Sequence, residues 1–178
     1  MTDALVLLKQ DHKTVEQLFK KYEKTTAPKA RRAIVDSIIK ELSIHAAIEE
    51  QVFYPAVRTE LPDISDKVLE GLEEHHVVKW TLDELLTLPS DDERFHPKVT
   101  VLIEMVRHHV EEEETEMFPQ VRAGLTRKPL QDIGAALEKA KKTAPAKPHP
   151  KSPDTPPGNL VAGPVAKVID LIGDKVKG

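Results

Sequence analysis

The sequence has no cysteine and few aromatic residues, and both shortages limit its chemistry. Without cysteine, the 178-residue chain forms no disulfide and offers no thiolate to a metal, so a metal site must use nitrogen and oxygen ligands. Aromatic residues make up 4% of the chain, but hydrophobic residues make up 39%, which is enough for one ordinary core. The absence of disulfides fits a reducing cytoplasm.

Long apolar runs and an excess of positive charge are also missing. No apolar stretch approaches the roughly 18 residues of a membrane span, and the N-terminus lacks the pattern of a signal peptide. We therefore expect a cytoplasmic protein without a transmembrane segment. The 26 basic and 30 acidic residues give a formal charge of -4 and are interspersed, so no nucleic-acid partner is expected.

Glycine is rare before position 124, where only Gly71 occurs, and this favours helices over strands. Amphipathic helical patterns cover residues 3–24, 28–61, 65–88 and 97–123. The short connections predict an all-α, up-down-up-down four-helix bundle over residues 1–125. Thr2 is the expected cap of the first helix, and Pro55 is expected to kink the second helix or end it early.

Three further segments follow this predicted bundle. Residues 126–142 are typical of a short extra helix, and the proline-rich residues 143–159 predict a flexible, disordered linker. Residues 160–178 have the spacing of a short amphipathic helix. That helix either folds back on the bundle or docks on a partner or a membrane surface.

Two similar strings, HAAIEEQVFYP from His45 and HVEEEETEMFP from His109, occur in the second and fourth predicted helices. Alignment on their prolines superimposes four pairs: His45 with His109, Glu49 with Glu113, Glu50 with Glu114, and Tyr54 with Phe118. Positions four apart lie on nearly the same face of a helix. Each string can therefore direct one imidazole and one carboxylate towards the same interior point.

The first and third helices add one histidine each to this pattern. His12 lies in an apolar stripe, and His75 is preferred to His76 because the stripe through His76 contains Lys79 and Asp83. An acidic residue precedes each selected histidine, namely Asp11 and Glu74. The chain therefore reads as two copies of one helical hairpin.

The repeated pattern predicts a buried metal centre with six ligands: His12, His45, Glu49, His75, His109 and Glu113. Two ionised glutamates in a core require cations, unless they take up protons. Nitrogen and oxygen ligands suit iron, manganese or zinc. Four neighbours stay open as replacement or additional ligands: His76, His108, Glu50 and Glu114.

These motifs resemble the hemerythrin-like (HHE cation-binding) family over roughly residues 1–125. The resemblance rests on QDHKTVEQLF, HAAIEEQVFYP, EEHHVVKWTLDEL and HVEEEETEMFP. It implies a four-helix bundle around a non-haem centre of two iron ions, with manganese or zinc as less favoured alternatives. It also implies small-molecule partners such as oxygen, hydrogen peroxide or nitric oxide.

Two positions depart from the pattern of the oxygen carriers in that family. The carriers have HisxxxHis on the third helix and HisxxxxAsp on the fourth, whereas this chain has Lys79 and Glu114 at those places. We therefore expect handling or sensing of oxygen, peroxide or nitric oxide, including catalase-like peroxide decomposition, rather than oxygen carriage. The alternative is an iron-sensing or regulatory module that acts on a protein partner through its C-terminal tail. A bundle without metal is the third reading.

Overall fold

A computed structural model describes residues 2–156 and 158–159. Every regular element within these residues is helical, in agreement with the expected all-α class. The α-helices are α1 (Ala4–Glu23), α2 (Pro28–Ile48), α3 (Tyr54–Glu60), α4 (Ser65–Thr87), α5 (Phe95–Glu112), α6 (Phe118–Gly124) and α7 (Arg127–Lys141). Two π-helices (Glu49–Phe53 and Glu113–Met117) and one 3₁₀ turn (Pro62–Ile64) complete the set.

The helix starts follow local backbone chemistry. Asp3 caps α1, because its Oδ1 accepts a hydrogen bond from the Leu5 amide at 2.9 Å, so the expected cap at Thr2 moves by one residue. Helix α5 begins at Phe95, two residues before Pro97. A proline is tolerated there, since the first N–H groups of a helix have no intrahelical acceptor.

The two repeated prolines do not end the helices early, although each of them removes one N–H donor from the helical hydrogen-bond ladder. A π-helix precedes each one, in which the Tyr54 amide donates to the Glu49 carbonyl and the Phe118 amide donates to the Glu113 carbonyl. This wider turn places Pro55 and Pro119 in the first turn of α3 and α6, where the missing N–H is harmless.

The helices pack as two hairpins. Helix α1 packs against α2, α4 against α5, and α2 against α4. We call residues 4–60 the first hairpin and residues 65–124 the second hairpin. Two hydrophobic clusters fill the bundle, one containing Leu8, Ile48 and Leu72 and the other containing Val15 and Val78. The up-down-up-down order of the four long helices stays a prediction.

Helix α7 adds a further layer over the first hairpin, where it packs on α1, α2 and the first π-helix. Its apolar residues belong to the same cluster as residues of the first hairpin; they are Leu130, Ile133, Ala136, Leu137 and Ala140. Gly134 permits the close approach, since a Cβ there would collide with the carbonyl oxygen of Thr2. The predicted extra helix is thus part of the core.

The proline-rich segment forms turns and contacts the bundle, in contrast to the disordered linker expected. Pro148 and Pro150 are buried. The Asn159 side chain donates to the Glu50 carbonyl at 3.1 Å, and Gln51 Nε2 donates to the Asn159 carbonyl at 3.0 Å. The Glu50 carbonyl is available because Pro55 has no N–H to donate to it.

The helix expected at 160–178 lies outside the described residues. None of the helices that the structure describes is long and apolar enough to cross a membrane.

Candidate metal centre

The six residues predicted as ligands come together in one polar layer between the two hydrophobic clusters. Each of the four long helices contributes one histidine, and the first residue of each π-helix contributes one glutamate. All six are buried, with exposures between 0% and 5%: His12, His45, Glu49, His75, His109 and Glu113. Burial of this many polar groups requires an internal arrangement that satisfies them.

The polar layer divides into two groups of potential ligands. His12, His45, Glu49 and Glu113 form one group, and Glu49, His75 and His109 form the other. Within each group, one ligand atom from every residue lies within 4.8 Å of the others. Glu49 belongs to both groups, so its carboxylate lies within reach of the other ligand atoms of each.

The Nε2 atoms of the four imidazoles point into this layer. His45 Nε2 lies 3.1 Å and His75 Nε2 lies 3.4 Å from Glu49 Oε2. His12 Nε2 lies 3.3 Å and His109 Nε2 lies 3.7 Å from Glu113 Oε2. Each carboxylate therefore faces one imidazole from each hairpin.

Several of these inward atoms lack a hydrogen-bond partner among residues 2–156 and 158–159. They are His12 Nε2, His45 Nε2, both oxygens of Glu49, and Glu113 Oε2. Unsatisfied buried polar atoms are rare and costly in a native protein. Imidazole nitrogens and carboxylate oxygens gathered in this way fit transition-metal cations, because coordination would satisfy these atoms together.

An outer carboxylate faces the other ring nitrogen of each of these four histidines. The Nδ1 atoms of His12, His75 and His109 bond Glu114 at 2.8 Å, Glu50 at 3.3 Å and Glu74 at 2.6 Å. His45 Nδ1 lies 3.9 Å from Asp11 Oδ2. Such partners orient an imidazole and direct its Nε2 lone pair at a metal.

The outer carboxylates follow the sequence repeat. Asp11 and Glu74 each face the Nδ1 atom of a histidine in their own hairpin. Glu50 and Glu114 each face the Nδ1 atom of a histidine in the other hairpin. Sequence reasoning noted these residues as repeated neighbours and left Glu50 and Glu114 open as ligands. The structure places them against Nδ1 atoms, on the outside of the layer.

The two glutamates differ electrostatically. Burial and the neighbouring charge of Glu113 raise the pKa of Glu49 well above its ordinary value. Burial acts the same way on Glu113, but His109 and His12 outweigh it and hold the pKa of Glu113 below its ordinary value. Burial also lowers the pKa of His45 to about 4, so this imidazole is neutral near physiological pH, as a metal ligand must be.

Tyr54, which the sequence repeat aligns with Phe118, takes part in this layer. The Tyr54 hydroxyl donates to Glu113 Oε1 at 2.8 Å. Gly71 makes room for it, since a Cβ there would lie 2.9 Å from the hydroxyl oxygen. The equivalent residue of the second hairpin, Phe118, stacks on His12 with ring centroids 5.9 Å apart and offers no hydroxyl.

The neighbouring histidines lie outside the layer. His76 is exposed and accepts a hydrogen bond from Trp80 Nε1 at 3.1 Å, and the side chain of His108 is 65% exposed. Lys79, at the position of the carriers' extra histidine, is buried and lies 2.8 Å from Glu50 Oε1. Its ammonium group is therefore held on an outer carboxylate.

Comparison with known proteins gives a consistent result. A family profile described as the hemerythrin HHE cation binding domain matches residues 3–121. A hemerythrin-like protein of Schizosaccharomyces pombe is 30% identical over 138 residues, which cover 77% of this chain and 68% of that protein. A Nostoc protein named as a DNA nickase is 26% identical over 135 residues, covering 76% of this chain and 38% of that protein.

A solved structure shows the same fold. The crystal structure of a hemerythrin HHE cation binding domain-containing protein from Mycobacterium kansasii superimposes with a TM-score of 0.68 and 25% sequence identity. The superposition covers 80% of this chain and 90% of the mycobacterial chain. With the histidine and glutamate clusters in place, the chain belongs to the hemerythrin HHE cation binding domain family.

Proposed function

We propose that this protein holds two iron ions and reacts with or senses oxygen, hydrogen peroxide or nitric oxide, rather than carrying oxygen. The ligands are His12, His45, Glu49, His75, His109 and Glu113. When bound, iron supplies redox-active positions at which such small molecules can bind.

The observation that carries the proposal is the set of buried, unpartnered ligand atoms. Among the buried carboxylates of the described residues, Glu49 alone has both oxygens without a hydrogen-bond partner, and it lies in both ligand groups. Two cations on either side of this carboxylate would satisfy both oxygens. In the second group, a cation would replace the contact between His75 Nε2 and His109 Nε2, which lie 3.2 Å apart.

The centre has four histidine ligands and lacks the extra histidine of the oxygen carriers, which argues against oxygen carriage. Reversible carriage needs one protected metal and one open metal, and the extra histidine of the carriers would supply that protection. Here Lys79 takes the place and bonds Glu50 at 2.8 Å, so it donates to a carboxylate and offers no lone pair. With two histidines for each metal, both metals keep positions open to small molecules.

Tyr54 gives the centre a fixed hydrogen-bond donor. Burial and the charge of Glu113 raise its pKa well above the ordinary value, so the phenol keeps its proton. Its ring lies beside His75, with centroids 5.4 Å apart. The hydroxyl thus orients Glu113 from within the first hairpin and holds a proton close to the ligands.

The test compares inner and outer histidines. Iron-loaded wild-type protein should contain two iron ions per chain and decompose hydrogen peroxide, measured by oxygen release. The double variant His75→Ala/His109→Ala should lose both properties, while the matched variant His76→Ala/His108→Ala should keep both. A wild-type protein that binds and releases oxygen unchanged, or that holds no iron, would overturn the proposal.

Iron sensing through the C-terminal segment is the second candidate, and one contact favours it. Asn159 bonds the carbonyl of Glu50, whose carboxylate bonds the ligand His75. A shift of His75 on metal binding would therefore reach the proline-rich segment. Limited proteolysis at residues 143–159 should differ between iron-loaded and metal-free protein, and Asn159→Ala should abolish that difference; equal cleavage in both states would remove this candidate.

A further inference from the structure

A cavity lies at the seam between α2 and α4, under the proline-rich segment. Helix α2 lines it with Ser43 and Ala47, and the proline-rich segment lines it with Pro145, Pro148 and Pro153. Its volume is about 280 Å³, whereas a cavity of roughly 150 Å³ is enough to bind benzene. None of the six proposed metal ligands lines this space, which we call the seam cavity.

The sequence repeat places a groove at the equivalent seam, between α1 and α5. Two of its lining residues, Arg107 and Glu16, match Ser43 and Lys79 of the seam cavity. Arg107 Nε lies 3.0 Å from Glu16 Oε2, so these two long side chains bridge the groove and satisfy each other. In the seam cavity a serine takes the place of the arginine, and this smaller side chain leaves the space open.

Two buried polar atoms belong to residues that line the seam cavity and lack a hydrogen-bond partner among residues 2–156 and 158–159. They are Ser43 Oγ and Asn159 Oδ1. Ser43 is 4% exposed, and neither residue belongs to a group of potential metal ligands. Because unsatisfied buried polar atoms are rare in native proteins, these two indicate a bound molecule with both an acceptor and a donor.

The charged groups around the seam cavity favour an anion. Lys79 Nζ lies 2.8 Å from Glu50 Oε1 and 3.0 Å from Glu50 Oε2. An ammonium group has three N–H donors, so one donor of Lys79 remains after these two contacts. Lys147 adds a second ammonium group and His149 adds an imidazole, while Glu50 is the sole acidic side chain among the lining residues that the structure describes. A carboxylate in the cavity would therefore meet an excess of positive charge.

We propose that the seam cavity binds a small organic carboxylate that has an apolar body and a hydrogen-bond donor. Ser43, Lys79 and Lys147 provide donors for the carboxylate, and the three prolines contact the apolar body. Asn159 Oδ1 accepts from the donor of the ligand. This site goes beyond the proposed metal centre, and binding there requires no metal ion. A ligand in it would hold the proline-rich segment on the bundle, because residues of both line the cavity.

The test measures binding of 4-hydroxybenzoate, which has a carboxylate, an apolar ring and a hydroxyl donor. Equilibrium dialysis of the full-length, iron-loaded protein should show one saturable site with a dissociation constant on the order of 0.1–1 mM, as expected for a ligand of about ten non-hydrogen atoms. The neutral amide of the same shape, 4-hydroxybenzamide, should bind about tenfold more weakly, because it cannot pair with the ammonium groups.

Variants locate the binding site. Ser43→Ala/Lys147→Gln removes a hydroxyl and an ammonium group from the cavity lining and should weaken binding of 4-hydroxybenzoate about tenfold. The matched control, Ser37→Ala/Lys151→Gln, makes the same chemical changes at exposed positions outside the lining and should bind as the wild type does. Both variants should keep the helicity of the wild type by circular dichroism.

Three outcomes would each overturn the inference. They are equal affinities of the cavity variant and its control, equal binding of the acid and the amide, and no saturable binding by the wild type. The first outcome includes binding of the carboxylate at the metal centre, which neither variant alters. The proposed function would stand in all three cases, since its own test counts iron and measures peroxide decomposition.

Discussion

The first and second hairpins carry the same ligands in different surroundings. In the first, the faces of α1 and α2 next to the centre are apolar and packed under α7; in the second, the matching faces of α4 and α5 are acidic and meet solvent. The ligands face the common interior, so both halves must keep them. The residue types at outward positions depend on what covers those positions, and the covering differs between the two hairpins.

The largest expected effect comes from exchanging the residue types at two matching positions, Ile48 of the first hairpin and Glu112 of the second, each three residues after a ligand histidine. Ile48 is 0% exposed under α7, so Ile48→Glu buries an unpaired carboxylate and should lower the free energy of unfolding by about 3–5 kcal/mol. The reciprocal change, Glu112→Ile, lies on the open face and should change it by less than about 0.5 kcal/mol. Urea unfolding of both metal-free variants checks this; equal costs would show that the halves are not differently covered.

Removing the Tyr54 hydroxyl makes the first hairpin more like the second, which has Phe118 at the equivalent position. Tyr54→Phe takes away the donor to Glu113 Oε1 and leaves a buried carboxylate oxygen unpaired, which should cost about 1.5–3 kcal/mol. Tyr22→Phe is the matched control, because the Tyr22 hydroxyl lies 3.2 Å from His96 Nδ1 and has no carboxylate partner among the described residues. Loss of this hydrogen bond should cost about 1 kcal/mol or less. Urea unfolding of both variants gives the comparison, and a costlier Tyr22→Phe would contradict it.

The smallest expected effect concerns the space beside that hydroxyl. Gly71→Ala places a methyl group 2.9 Å from the Tyr54 oxygen, so overpacking of about 1–3 kcal/mol opposes a helix-propensity gain of about 1 kcal/mol. The same change in a Tyr54→Phe background should cost less, because the clashing atom is gone. A double-mutant cycle with no coupling would show that Gly71 does not accommodate Tyr54.

Most of the features that occur in both hairpins were predicted from the sequence. The stripe argument selected His75 over His76, and the structure buries the first and exposes the second, because only one face of α4 meets the core. The helix class and nearly all helix limits also followed from periodicity, proline and glycine. These features depend on local spacing, which a sequence displays directly.

What escaped prediction depends on contacts between distant residues. The π-helices were not foreseen, although a proline at the same offset after Glu49 and Glu113 was the available signal. The bond from Tyr54 to Glu113 joins two hairpins, and no spacing rule reports it. The proline-rich segment was interpreted from composition alone, whereas in the structure its Asn159 hydrogen-bonds to Glu50 and Gln51 of the bundle.

Helix α7 also determines where the folding unit of this domain ends. The family profile ends at residue 121, yet Leu130, Ile133 and Leu137 lie fully buried against the first hairpin. A version trimmed to the profile would lack these residues and would expose the apolar face of the first hairpin that they cover, which favours self-association. For expression or grafting, the cut belongs beyond Lys141.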